Sequence, residues 1–420
     1  MERRLLVHVD LDGVPQLAGR LWTRSRKGRD SASFEYDAAW LRHPARFALE
    51  PALALGRGPH HTMPGRALFG AIGDSAPDRW GRVLLQRDER RKAREENRTP
   101  RTLTEADYLL GVSDLARQGA LRFATREDGP FLAPADAVKI PPLVQLPALL
   151  GAALRLTGEG GSDEDLRLLL APGSSLGGAR PKASVIDRDG QLLIAKFPHH
   201  DDLTRLTLWE ALALRLAAEA GIATPEWRTE DIAGREVLLL HRFDRVGDRR
   251  IPFLSAMSML GAADNELRSY LEIADALRQH GARAGEDCAQ LWRRMVFNIL
   301  VSNTDDHLRN HGFLYDPDGG WRLAPAYDLN PVPVDVKPRV LSMAIDDADS
   351  TASLDLAFTV AGHFGLKRPA ANAIAAEVGS AVARWRDNAA SLGLSAGEID
   401  RMASAFEHDD LKIATGRGLA

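Results

Sequence analysis

Five prolines between residues 126 and 147 set the outer limits on how this chain folds. Pro130, Pro134, Pro141, Pro142 and Pro147, with Gly129, interrupt any regular element across that stretch. The pattern before it differs from the pattern after it. Residues 1–125 are therefore expected to form a small β-rich domain and 126–147 a linker. Residues 148–245 are expected as a mixed segment of strands and helices, and 246–420 as a mainly helical lobe. The fold class implied is α+β.

Local patterns support this division. Leu5 to Val9 is apolar and β-prone, and Asp12-Gly13 supplies a hairpin turn. Val14 to Trp22 reads as the return strand, with Pro15 arguing for a sheet edge. Ser33 to Tyr36 is a further short alternating piece. Arg79 to Arg98 reads as a helix. Its run Arg87 to Glu96 is almost wholly charged, and opposite charges three and four apart favour a solvated helix face over a nucleic-acid contact. Beyond the linker come a helix over Leu143–Leu156 and a hairpin from Ser184-Val185-Ile186 through Asp187–Gly190 to Gln191–Phe197. A periodic helix over Leu206–Ala220 is closed by Gly221. Glu236 to Leu240 reads as a strand. From about Leu254 helical patterns dominate, apart from a hairpin near 312–323.

Composition excludes several classes. The chain has 420 residues, 54 basic and 58 acidic side chains and a net charge of −4, so it has no general pull toward nucleic acid or membrane. Its one cysteine, Cys288, excludes a disulfide framework and a multi-cysteine zinc site. The apolar run near the start is shorter than the roughly 7–15 residues of a signal peptide. No apolar stretch approaches the roughly 20 residues needed to span a bilayer. A cytoplasmic location with no membrane partner is expected.

The strongest chemical constellation is Asn303-Thr304-Asp305-Asp306-His307-Leu308-Arg309-Asn310. Asp305 and Asn310 stand in the D-x-x-x-x-N spacing of phosphoryl-transfer catalytic loops, where the aspartate accepts a hydroxyl proton and the asparagine binds Mg²⁺. An apolar helix, Leu291 to Val301, precedes the loop. A hairpin follows it and leads to Asp328 in Pro325-Ala326-Tyr327-Asp328, placed to be a second metal ligand. Carboxylate and amide oxygens are hard donors suited to Mg²⁺. Aspartate and asparagine also cap turns, so no one residue decides; the ordered set does. Upstream, Lys196 ends an apolar strand as a phosphate-contacting lysine would, with Glu210 on the next helix as a candidate partner. The loop Gly173 to Lys182 is neither a Walker A loop nor G-x-G-x-x-G, but its glycines and hydroxyls can offer backbone N–H groups to phosphate. A metal-dependent phosphoesterase built on Asp305, Asp306, His307 and Asp328 is the competing chemistry, and it has no use for the upstream lysine and loop.

At this point the chain resembles the HipA-type toxin kinases. The resemblance rests on Ser175-Leu176-Gly177-Gly178-Ala179-Arg180-Pro181-Lys182, the Lys196 strand, Arg242-Phe243-Asp244-Arg245, the Asp305–Asn310 loop and Pro325–Asp328, in that order. Asp74-Ser75-Ala76-Pro77-Asp78-Arg79-Trp80-Gly81-Arg82, Phe34-Glu35-Tyr36 and Trp40-Leu41 match the family's N-terminal domain, so the likeness spans roughly residues 5–405. It implies an α+β kinase fold related to the phosphatidylinositol 3/4-kinase branch, with 148–245 as the ATP-binding lobe. It implies a serine/threonine protein kinase of a type II toxin–antitoxin system that uses ATP and Mg²⁺. Residue by residue, Asp305 is the implied catalytic base, and Asn310 and Asp328 the implied metal ligands. Lys196, Ser175, Gly177, Gly178, Lys182, Arg242, Phe243 and His307 form the implied nucleotide site, with His307 orienting the loop. Ser175, or Ser174 beside it, is the implied autophosphorylation site, where about −2 charge would repel ATP. The implied partners are a HipB-type helix-turn-helix antitoxin, DNA only through that antitoxin, and a protein substrate, with aminoacyl-tRNA synthetases as the associated class. A catalytically silent antitoxin-binding corepressor is the alternative, and the completeness of Asp305, Asn310, Asp328 and Lys196 argues against it.

Overall fold

The computed structural model describes residues 2–26, 28–132, 140–158, 160–170, 178 and 180–416. They form an α+β fold in two compact units, one of residues 1–201 with 230–254 and one of residues 202–229 with 255–420.

The first unit begins with a five-stranded antiparallel sheet. Its strands are β1 (Glu2–Leu11), β2 (Val14–Arg26), β3 (Arg29–Tyr36), β4 (Pro59–His61) and β5 (Leu121–Ala124), in the order β4-β3-β2-β1-β5. The predicted Asp12-Gly13 turn joins β1 to β2, with φ of +52° and +84°. Both residues are left-handed, as a two-residue hairpin turn of type I′ requires. β2 is an interior strand, not the edge that Pro15 suggested. The proline is tolerated because β3 pairs with β2 only from Gly19 onward, so at Pro15 the strand has β1 alone as partner. Gly19 is required there: a Cβ would stand 2.3 Å from the Glu35 carbonyl oxygen.

The charged run lies on the helix Arg79–Glu95 and forms the expected ladder of ion pairs. Arg91 bridges Asp88 at 2.7 Å and Glu95 at 2.8 Å. The helix predicted over 143–156 is a 3₁₀ turn, Leu143–Gln145, followed by the α-helix Leu146–Thr157 with Pro147 in its first turn. There the missing N–H costs no hydrogen bond.

A second sheet carries the nucleotide-side motifs. β6 (Lys182–Ile186), β7 (Leu192–Lys196), β8 (Trp227–Ile232) and β9 (Arg235–His241) lie in the order β6-β7-β9-β8. One face presents Ala183, Val185, Leu193, Ala195, Val237 and Leu239 to the helices Leu146–Thr157 and Asp163–Leu170, with Trp80 and Leu84 in the same core. Each large apolar side chain buried there contributes about 1.5–3 kcal/mol. Strand alternation sends Lys182, Ser184, Ile194, Lys196, Leu238 and Leu240 to the opposite face.

The second unit is mainly helical. Its centre is Ala284–Leu300, whose Leu291, Trp292, Met295, Val296, Phe297, Ile299 and Leu300 are all buried. A helix apolar on so many sides must be surrounded, and the helices Tyr270–His280 and Arg368–Val382 pack against it. Cys288 is buried with its thiol on the Ala274 carbonyl oxygen at 3.6 Å, and burial raises its pKa, so it packs and does not react. Leu206–Glu219 ends as predicted at Gly221, which has φ +74°. The hairpin Gly312–Tyr315 and Trp321–Leu323 stands where its turn signal placed it. Among the described residues no helix is long and apolar enough to cross a membrane.

Candidate active site

The loop Asn303–Asn310 follows directly from the end of the central helix. The chain leaves Leu300 through Ser302, which adopts φ +51°, a left-handed value rare for a residue with a side chain. That turn is fixed from several sides. Asn303 N donates to Asn298 O at 2.9 Å and its side-chain amide to Asn298 Oδ1 at 3.1 Å. Lys337 Nζ and Ser342 Oγ both donate to the Thr304 carbonyl oxygen, at 3.0 and 2.9 Å. Asn303 and Thr304 are fully buried, so the backbone leading into Asp305 is held by protein groups alone.

The two adjacent aspartates then separate. Asp305 is exposed, whereas Asp306 is 2% exposed. The Asp306 carboxylate accepts from the Tyr270 hydroxyl and from His311 Nε2 at 2.8 Å. Tyr270 OH in turn accepts from Asn298 Nδ2 at 3.2 Å. Burial alone would raise the Asp306 pKa; the charge of His311 and the two hydrogen bonds outweigh it and hold the carboxyl below its ordinary value. Tyr270 shifts the other way, kept protonated by burial and by the Asp306 charge, and so remains a donor. The sequence gives no direct sign of this buried network. The tyrosine lies 36 positions before the aspartate and is found only through the fold.

Asn310 closes the loop. Its backbone N–H donates to His307 O at 2.8 Å in a short 3₁₀ turn, and its Nδ2 donates to Asp305 O at 3.3 Å. The amide nitrogen is thereby used internally, which leaves the amide oxygen as an acceptor able to meet a cation. His307 is half-buried and its charge acts on Asp306. Asp328, half-buried, has φ +60°, a second left-handed residue. Tyr327 OH donates to Arg309 O at 2.7 Å, which ties the residue before Asp328 to the residue before Asn310. Asn330 N donates to Asn303 Oδ1 at 3.3 Å, which ties the far side of Asp328 to the start of the loop. Strained backbone persists where surrounding structure over-determines it, and here two ties do so. A carboxylate and an amide oxygen brought into one neighbourhood fit Mg²⁺, which takes one or two protein oxygens and completes its shell with water and phosphate.

The two lysines singled out in the sequence lie in the first unit. Lys196 and Lys182 stand directly opposite each other in the β6–β7 register, on the same face. Like charges so placed repel. Lys182 is 4% exposed, and its Nζ donates to Asp78 Oδ2 at 2.8 Å. Asp78 also caps the helix Arg79–Glu95, accepting from Gly81 N at 2.7 Å, and Trp80 Nε1 donates to Lys182 O at 3.1 Å. The N-terminal motif around Asp78 thus fixes the lysine at the foot of the glycine-rich loop. Gly178, with φ +96°, lies over that lysine: a Cβ there would meet Lys182 Nζ at 2.8 Å. Ser174, Ser175 and Gly177 fall outside the described residues. Lys196 is half-buried.

Arg242, which the resemblance assigns to the nucleotide, has its guanidinium turned inward. It donates to Asp244 through Nε at 2.6 Å and Nη2 at 2.5 Å, and to Ala116 O at 3.0 Å. Phe243 is half-buried, 6.3 Å from the ring of Phe253.

Comparison with known proteins shows the family and the fold. Residues 174–385, half of the chain, match the HipA-like C-terminal domain, and the chain belongs to that family. It is 30% identical over 181 residues to Y4mE of Sinorhizobium fredii, a protein provisionally named a kinase; the alignment covers 37% of this chain and 41% of that protein. A Haemophilus influenzae protein, also provisionally named a kinase, is 25% identical over 181 residues, covering 37% of this chain and 52% of its own length. The chain thus spans about half the length of these relatives. A chain of the Shewanella oneidensis HipA, HipB and operator DNA complex shares the fold, with a TM-score of 0.66 at 17% identity over 99% of this chain and 97% of that one.

Proposed function

We propose that the protein is an ATP-dependent serine/threonine protein kinase of a type II toxin–antitoxin system, working in the cytoplasm. The observation that carries this reading is the loop in which Asp305 is exposed while Asp306 is buried and Asn310 folds back on it. That loop frees one carboxylate to receive a proton and fixes its position through the other. Asp305 accepts the proton of a substrate serine hydroxyl as its oxygen attacks the γ-phosphorus and ADP leaves. Asn310 and Asp328 would hold Mg²⁺, which when bound supplies neutralising charge for the phosphates. Lys196 is the phosphate-contacting lysine, with Lys182 and Gly178 at the base of the phosphate loop. Autophosphorylation falls on Ser175 or Ser174 of that loop and shuts the site by charge repulsion. Family membership and the fold shared with the Shewanella complex support a HipB-type antitoxin as partner, with DNA reached through it.

The test is γ-phosphate transfer from labelled Mg-ATP to the protein itself and to a host lysate. Asp305→Asn lowers transfer by about 10²–10⁴-fold. An unchanged rate in the variant would remove Asp305 from its role. Phosphoester hydrolysis without nucleotide would replace a kinase with a phosphoesterase. Absence of nucleotide-dependent thermal stabilisation would leave the silent corepressor.

A further inference from the structure

We propose that the first unit binds a small monovalent inorganic anion, of the chloride class, between Arg117 and Arg250. The site includes Arg242, Asp244 and Arg245 and does not depend on the kinase reading. Five guanidinium groups meet there: Arg117, Arg122, Arg242, Arg245 and Arg250. Three carboxylates face them: Asp10, Asp114 and Asp244. The cluster therefore carries two positive charges in excess.

The carboxylates are already committed. Asp244 accepts from Arg242, from Arg245 Nη1 at 2.8 Å and from Gly119 N at 2.7 Å. Asp114 accepts from Arg122 Nη2 at 2.6 Å and Arg250 Nη2 at 3.0 Å. Asp10 accepts from Arg122 Nη1 at 3.2 Å and Gly13 N at 2.9 Å. Among the described residues no carboxylate accepts a hydrogen bond from Arg117, although the Asp114 charge acts on it. Its two terminal nitrogens donate to Ser75 O and Val112 O, both at 2.9 Å, and its guanidinium carbon lies 4.8 Å from the centre of the Phe123 ring.

Two donors remain. Arg117 Nε and Arg250 Nη1 are buried, and neither has a hydrogen-bond partner among the described residues. Their residues are 0% and 8% exposed. Burial, and then the Arg250 charge after the partial relief of Asp114, lowers the Arg117 pKa to about 10, so at neutral pH Arg117 stays charged. A buried charge without a counter-charge and a buried N–H without an acceptor are each costly. One anion between them relieves both. Each arginine offers one nitrogen, Nε of Arg117 and Nη1 of Arg250, and not the two-nitrogen edge that grips a carboxylate or phosphate, which suits a monatomic acceptor.

The experiment is thermal unfolding of the full chain at constant ionic strength, with chloride, bromide or sulfate replacing gluconate. Chloride and bromide are expected to raise Tm saturably by about 2–4 °C and sulfate to have no such effect. Arg250→Gln abolishes the halide response. Should that variant fail to fold, bromide anomalous diffraction from wild-type crystals decides, with a peak between Arg117 and Arg250 expected. Equal Tm in chloride and gluconate, an equal response to sulfate, or no bromide peak would each overturn the proposal; water would then be the missing acceptor.

Discussion

Each unit sets two like charges side by side and treats them differently. In the first, Lys182 and Lys196 face each other across β6 and β7; in the second, Asp305 and Asp306 are adjacent in the chain. In both, one member is buried and locked while the other keeps access to solvent. The means of locking differ. Lys182 is held by an opposite charge, Asp78, from 104 positions away. Asp306 is held by a hydroxyl and an imidazole. An ammonium can only donate and keeps its full charge when buried, so a single counter-charge such as Asp78 carries most of its stabilisation. The Asp306 carboxylate instead divides its stabilisation between the charge and N–H of His311 and the neutral hydroxyl of Tyr270.

That difference predicts unequal costs of removal. Asp78→Ser keeps an oxygen to cap the helix Arg79–Glu95 and removes only the charge beside Lys182. Breaking a buried pair from one side costs about 3–5 kcal/mol. Urea unfolding of the variant should show that loss, and Asp78→Ser with Lys182→Met should recover most of it. A cost below about 1 kcal/mol would mean that Lys182 finds another partner, and the parallel between the units would fail.

Glu50 sharpens the comparison, because it is a buried carboxyl without the donors of Asp306. It is 4% exposed and accepts chiefly from Ala71 N. Burial is the largest influence on it, with the charge of Asp74 adding, and its pKa rises to about 7. Asp306, more deeply buried, moves down because His311 and Tyr270 donate to it. The sign follows from linkage. A pKa raised above the ordinary 4.5 gives stability fully present below about pH 4.5 and lost as pH rises through about 7. The loss is about 3 kcal/mol across that window. Glu50→Gln should flatten it, as read from unfolding midpoints at pH 5 and 8. An unchanged slope would assign the dependence to other groups.

The parts legible in the sequence were those whose signal is local. The Asp305–Asn310 spacing, the hairpin before Asp328, the β6–β7 hairpin and the stop at Gly221 are each written within about twenty residues, where turn chemistry and periodicity act. Partners supplied by distant chain were not legible. Asp78 is readable as a helix cap, but nothing near it announces Lys182. Arg242 reads as a nucleotide-side residue from its motif, whereas its side chain reaches Asp244 and the carbonyl of Ala116, 126 positions earlier. Carbonyl acceptors leave no trace in the sequence, since every residue has one. Pro15 misled for a related reason: edge character changes along a strand as its neighbours begin and end.

The smallest predicted effect tests how the Asp306 network divides its work. Tyr270→Phe removes one donor to Asp306 and the acceptor of Asn298 Nδ2, while His311 stays. A hydrogen bond to a charged group contributes about 1.5–3 kcal/mol, and that is the expected loss in stability. Asp305→Asn, at an exposed position, should change stability by no more than about 0.5 kcal/mol. The two variants therefore separate holding the loop from using it. In phosphoryl-transfer assays Tyr270→Phe should keep most of the rate wherever the protein remains folded, while Asp305→Asn loses it with the fold intact. If instead Asp305→Asn costs as much stability as Tyr270→Phe, both aspartates are structural, and the exposed carboxylate is not the one reserved for chemistry.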